Sequence, residues 1–251
     1  MKKILILITA LLLNTLFVYS SSIVVNGTLI YVTTSTTPPH SSVYSYKLGK
    51  YSQAEYNIII DKLEKELSKY PKNVLKKYGP TKIYIVDDIY STKHFNVNGV
   101  SINNSIILKK DVLIGGISMY LIKVLHHEMF HQLTKLYNKK VYHLYNELNK
   151  NCNYKYTGSD VEENNVYTFN SEFISTYHPN ASETAAEIFA YLMYPSELNP
   201  HTTQVILWYK SNESNTNIKL KKNIAAVINY TAAISNNIMN KFYYLDLIKR
   251  L

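Results

Sequence analysis

Two histidines four residues apart, with a glutamate directly after the first, stand at His127-Glu128-Met129-Phe130-His131. One helical turn separates the histidines, so both imidazoles fall on one face. There they can chelate a single Zn²⁺ through ring nitrogens at about 2.0–2.1 Å. A glutamate between two such ligands can serve as general base toward a water activated at the metal. Residues of these types at this spacing point to peptide-bond hydrolysis.

The surrounding sequence supplies the helix that this geometry needs. Ser118 to Tyr137 contains no Pro or Gly, and its apolar residues at 121, 122, 125, 129, 133 and 136 follow helical spacing. A catalytic zinc takes three protein ligands and leaves one position open. The long motif with a third histidine is ruled out, because Thr134 and Tyr137 stand where its Gly and His would fall. A downstream carboxylate is the alternative, and the candidates are Glu147, Asp160, Glu162, Glu163, Glu172, Glu183 and Glu187. Glu183-Thr-Ala-Ala-Glu187 is preferred. Its two acids share one helix face, and the small residues between them let a neighbouring helix approach closely. Glu183 is assigned to the metal. Glu187 is assigned to the free ring N–H of a ligand histidine, where it would fix the tautomer. Glu162 or Glu163 remains the alternative ligand.

His127-Glu-Met-Phe-His131, followed by Phe173-Ile-Ser-Thr-Tyr-His-Pro-Asn-Ala-Ser-Glu-Thr-Ala-Ala-Glu-Ile-Phe-Ala190, resembles the anthrax lethal factor and Pro-Pro endopeptidase group of gluzincins. The resemblance covers roughly residues 50 to 250 in the order of elements and is specific in these two blocks. It implies a zincin-like fold, with His127, His131 and Glu183 as zinc ligands, Glu128 as general base and Glu187 behind a ligand. It also implies that Tyr177 assists the tetrahedral intermediate, a role that nothing else sets apart among 24 tyrosines. Two departures from the group's pattern are present: the Tyr-to-Glu loop is one residue shorter, and Thr184 and Ala185 replace two phenylalanines.

The N-terminus reads as a secretory signal peptide over residues 1–22. Lys2 and Lys3 precede an apolar run from Ile4 to Val18, and Ser20-Ser21-Ser22 offers small residues for cleavage. The run is interrupted by Asn14 and is shorter than a bilayer span, so stable membrane insertion is not expected. The remaining residues 23–251 are expected to form one zinc metallopeptidase domain, secreted and monomeric. Cys152 is the only cysteine, so no intrachain disulfide can form and the core must hold the fold. Net charge is +9, or +7 without Lys2 and Lys3, but the lysines are dispersed. Dispersed charge describes a solvated surface rather than a nucleic-acid groove.

The expected architecture is α+β, with a small mixed sheet and an active-site helix. Residues 23–33 are β-rich, and a helix is expected from Ser52 to Tyr70, closed by Pro71. A short helix is expected over 71–78. Lys82–Asp87 and Ser105–Asp111 read as strands, and Ser105–Lys109 is nominated as the sheet edge that could pair with an extended substrate, with a central position equally open. Residues 138–170 read as a polar loop, and 182–194, 201–210 and 218–251 as helices. The expected function is a secreted zinc endopeptidase that binds one Zn²⁺ per chain and takes a protein or peptide substrate. The rival from another class is a non-enzymatic exported binding or host-interaction protein on the same scaffold, which would be marked by a broken motif. All four key positions are intact.

Overall fold

Asn26 and Gly27 divide the first apolar run into a hairpin. Both adopt positive φ, at 49° and 73°, the conformation that a two-residue turn between antiparallel strands requires. The computed structural model describes residues 20–92, 97–114, 122–136, 138–152, 180–195 and 218–249. The hairpin joins β1 (Ser20–Val25) to β2 (Thr28–Thr33), with Val25 opposite Thr28. Along it Ile23, Val25, Ile30 and Val32 are buried while Val24, Leu29 and Tyr31 are exposed, the alternation of a sheet with one face on the core. Ser20 to Ser22, placed within the leader on sequence grounds, make up the first half of β1 and pair with Thr33 to Tyr31. Residues 1–19 lie outside the described residues.

Three further strands complete a mixed sheet in the order β1-β2-β4-β7-β6. β4 (Lys82–Val86) runs parallel to β2 and to β7 (Ser105–Lys109), and β6 (Gly99–Ile102) returns antiparallel to β7. β7, the nominated edge, is therefore an inner strand with neighbours on both sides. Its four buried residues, Ser105 to Leu108, fit that position. β6 forms the edge instead. A separate two-stranded sheet, β3 (Tyr44–Lys47) with β5 (Asp88–Ser91), lies against the second face. There Tyr44 and Tyr46 pack on Tyr84, Val86, Val100 and Ile107.

Eight helices are present among the described residues. α1 (Gln53–Leu67) starts at the expected Ser52, which accepts from the Glu55 amide while Glu55 accepts from the Ser52 amide, a reciprocal cap. α2 (Lys72–Tyr78) follows Pro71, and a short turn, α3 (Asp111–Ile114), follows β7. α4 (Ile122–Thr134) carries the His-Glu-x-x-His motif, and α6 (Ala181–Met193) carries Glu183 and Glu187. Between them α5 (Lys139–Asn151) corrects the expectation of a loop. Asn138 caps it, and Val141, Leu144 and Leu148 bury one narrow stripe while the rest of its surface is polar. α7 (Ile218–Ile234) and α8 (Lys241–Lys249) are separated by Asn236 and Asn237, both at positive φ. The expected helix over 201–210 lies outside the described residues.

The main core joins the inner face of the sheet to all of these helices, and at its centre α4 packs on α6. Phe130 and Phe189 meet there with ring centroids 5.1 Å apart, and Ala185, Ala186 and Ala190 are fully buried. Such small side chains allow two helix backbones to approach. No described helix is long and apolar enough to cross a membrane. Cys152 is buried at the end of α5, and its sulfur accepts a hydrogen bond from the Asn223 amide group.

Candidate metal centre

Residues four apart on a helix stack in a row, and two such rows face each other here. On α4 the row is Lys123, His127, His131; on α6 it is Glu183, Glu187, Tyr191. The helices run in opposite directions, so the pairs fall in reverse order. Glu183 Oε2 lies 3.0 Å from His127 Nε2 and 3.5 Å from His131 Nε2. Glu187 Oε1 lies 3.0 Å from His127 Nδ1, and Lys123 Nζ donates to Glu187 Oε2 at 2.9 Å and to the Tyr191 hydroxyl at 3.0 Å.

His127, His131 and Glu183 form a group that can hold a metal ion. Their donor atoms are 3.0, 3.1 and 3.5 Å apart. Ligands on a tetrahedral ion with bonds of about 2.0–2.1 Å are separated by about 3.3–3.4 Å, so the spacing fits such an ion. The hydrogen-bond chemistry points the same way. Glu187 is an acceptor, so it commits His127 Nδ1 to carrying a proton, which in the neutral ring leaves Nε2 as a lone pair. That lone pair faces a carboxylate oxygen and another imidazole nitrogen. Only a cation, metal or proton, satisfies all three.

The electrostatics follow from the same contacts. Burial alone would lower the pKa of His127, but its hydrogen bonds to the Glu183 and Glu187 carboxylates outweigh it and raise it to about 10. Burial works against the charges on Glu183 and Glu187 as well. His127 and His131 nevertheless hold Glu183 well below the usual carboxylate range, and His127 with Lys123 brings Glu187 to about 2. Asn180 caps α6 by accepting from the Glu183 amide, so Glu183 also lies in the first turn, where the helix dipole favours an anion.

Glu128 is 7 % exposed and faces the strand edge rather than the core. Burial pushes its pKa up, while the His127 and His131 imidazoles and the Ser101 backbone amide, which donates to its carboxylate, act in the opposite direction. Gln132, one turn on, donates to Ser101 Oγ at 2.6 Å and to the Ser105 carbonyl at 3.2 Å. α4 therefore grips β6 from Glu128 and Gln132 together. Gly99 makes the approach possible, because its hydrogen faces Val124 and Glu128 where a larger group would collide.

Four sequence-predicted residues, His127, His131, Glu183 and Glu187, are thus brought together with Glu128 beside them. Tyr177 and the alternative ligands Glu162 and Glu163 lie outside the described residues, as do Asp160 and Glu172. Glu147 pairs with Lys150 on exposed α5 surface and is not part of the centre. Lys123 was not foreseen, although its place four residues before His127 puts it in the same row. Tyr44 was also missed. Burial raises the pKa of its phenol, and the carboxylates of Glu128 and Glu183 raise it further. Behind His127, His126 points the opposite way into the core, bridging the Tyr70 hydroxyl at 2.7 Å and Glu66 at 2.9 Å. No family model, curated protein or solved structure matches the chain.

Proposed function

We propose that the protein is a secreted zinc-dependent endopeptidase of the gluzincin type, on a zincin-like scaffold, in the lethal factor and Pro-Pro endopeptidase group. The observation that carries this reading is the spacing of three donors, His127 Nε2, His131 Nε2 and Glu183 Oε2, with the carboxylate of Glu128 on the next residue of the same helix. Zn²⁺ held by these donors would act as a Lewis acid toward a scissile carbonyl and lower the pKa of a water beside it. The chain's own groups supply the rest.

Glu128 takes the proton from the attacking water and delivers it to the leaving amine. The Ser101 amide orients that carboxylate from the edge of β6. Glu187 holds the His127 ring with Nε2 turned toward the other two donors. Tyr177, by the resemblance, donates to the developing oxyanion, and the Tyr44 phenol is the alternative donor. An extended peptide can add to β6, the edge strand, which leads from Gly99 past Glu128. The substrate is accordingly a protein or peptide segment in extended form, and the enzyme acts as a monomer.

Digestion of a peptide library by the full chain tests this reading. Cleavage that stops on chelation and returns with added zinc supports it. Zinc uptake without cleavage of any peptide would instead favour a non-enzymatic binding protein.

A further inference from the structure

Glu187 has two oxygens, and only one of them faces His127. The other, Oε2, receives the Lys123 ammonium at 2.9 Å, and that ammonium is held in turn by the Tyr191 hydroxyl at 3.0 Å while lying 4.3 Å from the centre of the Tyr191 ring. Lys123 lies one turn before His127 on α4, and Tyr191 one turn after Glu187 on α6. Both side chains of the ion pair are largely buried, at 19 % and 7 % exposure. Burial works against the charge on Lys123, and Glu187 and Tyr191 outweigh it, so the ammonium stays protonated.

We infer that Lys123 is a positioning residue for the metal centre: by occupying Oε2 of Glu187 it fixes Oε1 on His127 Nδ1, and so holds the ligand face of that imidazole toward Glu183 and His131. This inference rests on the metal-centre reading above and adds a residue to it. A carboxylate held at one oxygen can swing about its side-chain torsions, and a long Glu side chain has three of them. Pinned at both oxygens by groups on the facing helix, it cannot. The same ammonium balances the charge of Glu187, so Glu183 alone is left to contribute a negative ligand to the ion. Glu187 then acts as an oriented acceptor rather than as a competing ligand. Partners that orient a ligand histidine in this way typically govern metal affinity by about 10- to 100-fold.

The test is a zinc titration of the full chain against a chromophoric chelator at neutral pH, with the thermal stability of the metal-free chain measured alongside. Lys123→Met is expected to weaken zinc binding about tenfold, and Lys123→Arg to stay within about twofold of wild type. In a Glu187→Gln background, Lys123→Met should add no more than about twofold, because the group it positions is gone. Zinc binding in Lys123→Met as tight as wild type, or tighter, overturns the inference, as does an equal loss in both backgrounds. A loss of thermal stability with zinc affinity unmoved does the same, since it assigns Lys123 to packing alone. Should Lys123→Met fail to fold, Lys123→Gln against Lys123→Arg decides, and equal affinities overturn it. A wild-type chain that takes up no zinc removes the metal-centre reading together with this inference. Uptake by wild type with Lys123→Met unchanged removes only the inference.

Discussion

Gly99 and Glu128 stand so close that a methyl group on Gly99 would come within 2.9 Å of Glu128 Cγ and 2.6 Å of Val124 Cγ1. The strand cannot withdraw to make room, because Ser101 is tied to Gln132 on α4 and β6 is paired with β7 along its length. A glycine on the edge strand thus sets the clearance in which the proposed general base sits.

Gly99→Ala is therefore expected to displace Glu128 while leaving the zinc ligands in place. Misplacement of a catalytic group by about 1 Å costs roughly 100-fold in turnover. Steady-state kinetics with metal analysis on the same sample should show turnover lowered by that order and zinc content unchanged. Wild-type turnover in Gly99→Ala would mean that the contact does not position Glu128.

The two glutamates of α6 are expected to separate cleanly by metal affinity. Glu183→Ala removes a donor atom and should abolish tight zinc binding, whereas Glu187→Ala loses an orienting hydrogen bond and should weaken it by about 10- to 100-fold. Glu162→Ala should match wild type. Equal zinc content in the three variants would remove the ligand assignment.

Acid sensitivity is expected from Glu66, away from the centre. Burial works against its charge, but hydrogen bonding with His126 and the Lys69 ammonium lower its pKa from 4.5 to about 2. A carboxylate whose pKa is depressed by folding contributes stability above its unfolded value, and that contribution is lost as pH falls through the folded one. His126, with a pKa lowered by burial, acts in the same direction because the unfolded chain takes up its proton first. Denaturant titrations of the metal-free chain should show Glu66 contributing of the order of 3 kcal/mol at neutral pH, fading between about pH 4.5 and 2. A Glu66→Gln chain that loses as much stability with acid as wild type would contradict this.

Tyr44 offers a sharper check on the approach to the centre. Its phenol is protonated and able to donate at neutral pH, as any tyrosine's is, and burial only strengthens that. Tyr44→Phe should retain zinc and lower turnover by about tenfold or more if the phenol meets a developing oxyanion. Unchanged turnover would leave that role to Tyr177.

The grouping of His127, His131 and Glu183 is legible in the sequence because its parts obey one rule, a spacing of four on a helix. His127 with His131, and Glu183 with Glu187, each announce a shared face. Lys123 obeys the same rule but is one of many lysines, and only the facing carboxylate distinguishes it. β6 was not legible: Gly99-Val100-Ser101-Ile102 is short and carries a glycine, and its place follows from the hairpin with β7 around Asn103, at φ 54°. α5 was passed over because Val141, Leu144 and Leu148 are its only buried residues on an otherwise polar surface. The Glu66 and His126 pair joins residues 60 apart in the chain, a contact that local patterning does not reveal.

Zinc-dependent hydrolysis is tested most directly by a paired measurement on wild type and Glu128→Gln: zinc per chain by elemental analysis, and cleavage of the same peptide library. One zinc is expected in both proteins, with cleavage by wild type and a loss of about 100-fold or more in Glu128→Gln. Equal cleavage by the two proteins, or a cleaving wild-type chain that holds no zinc, would contradict it.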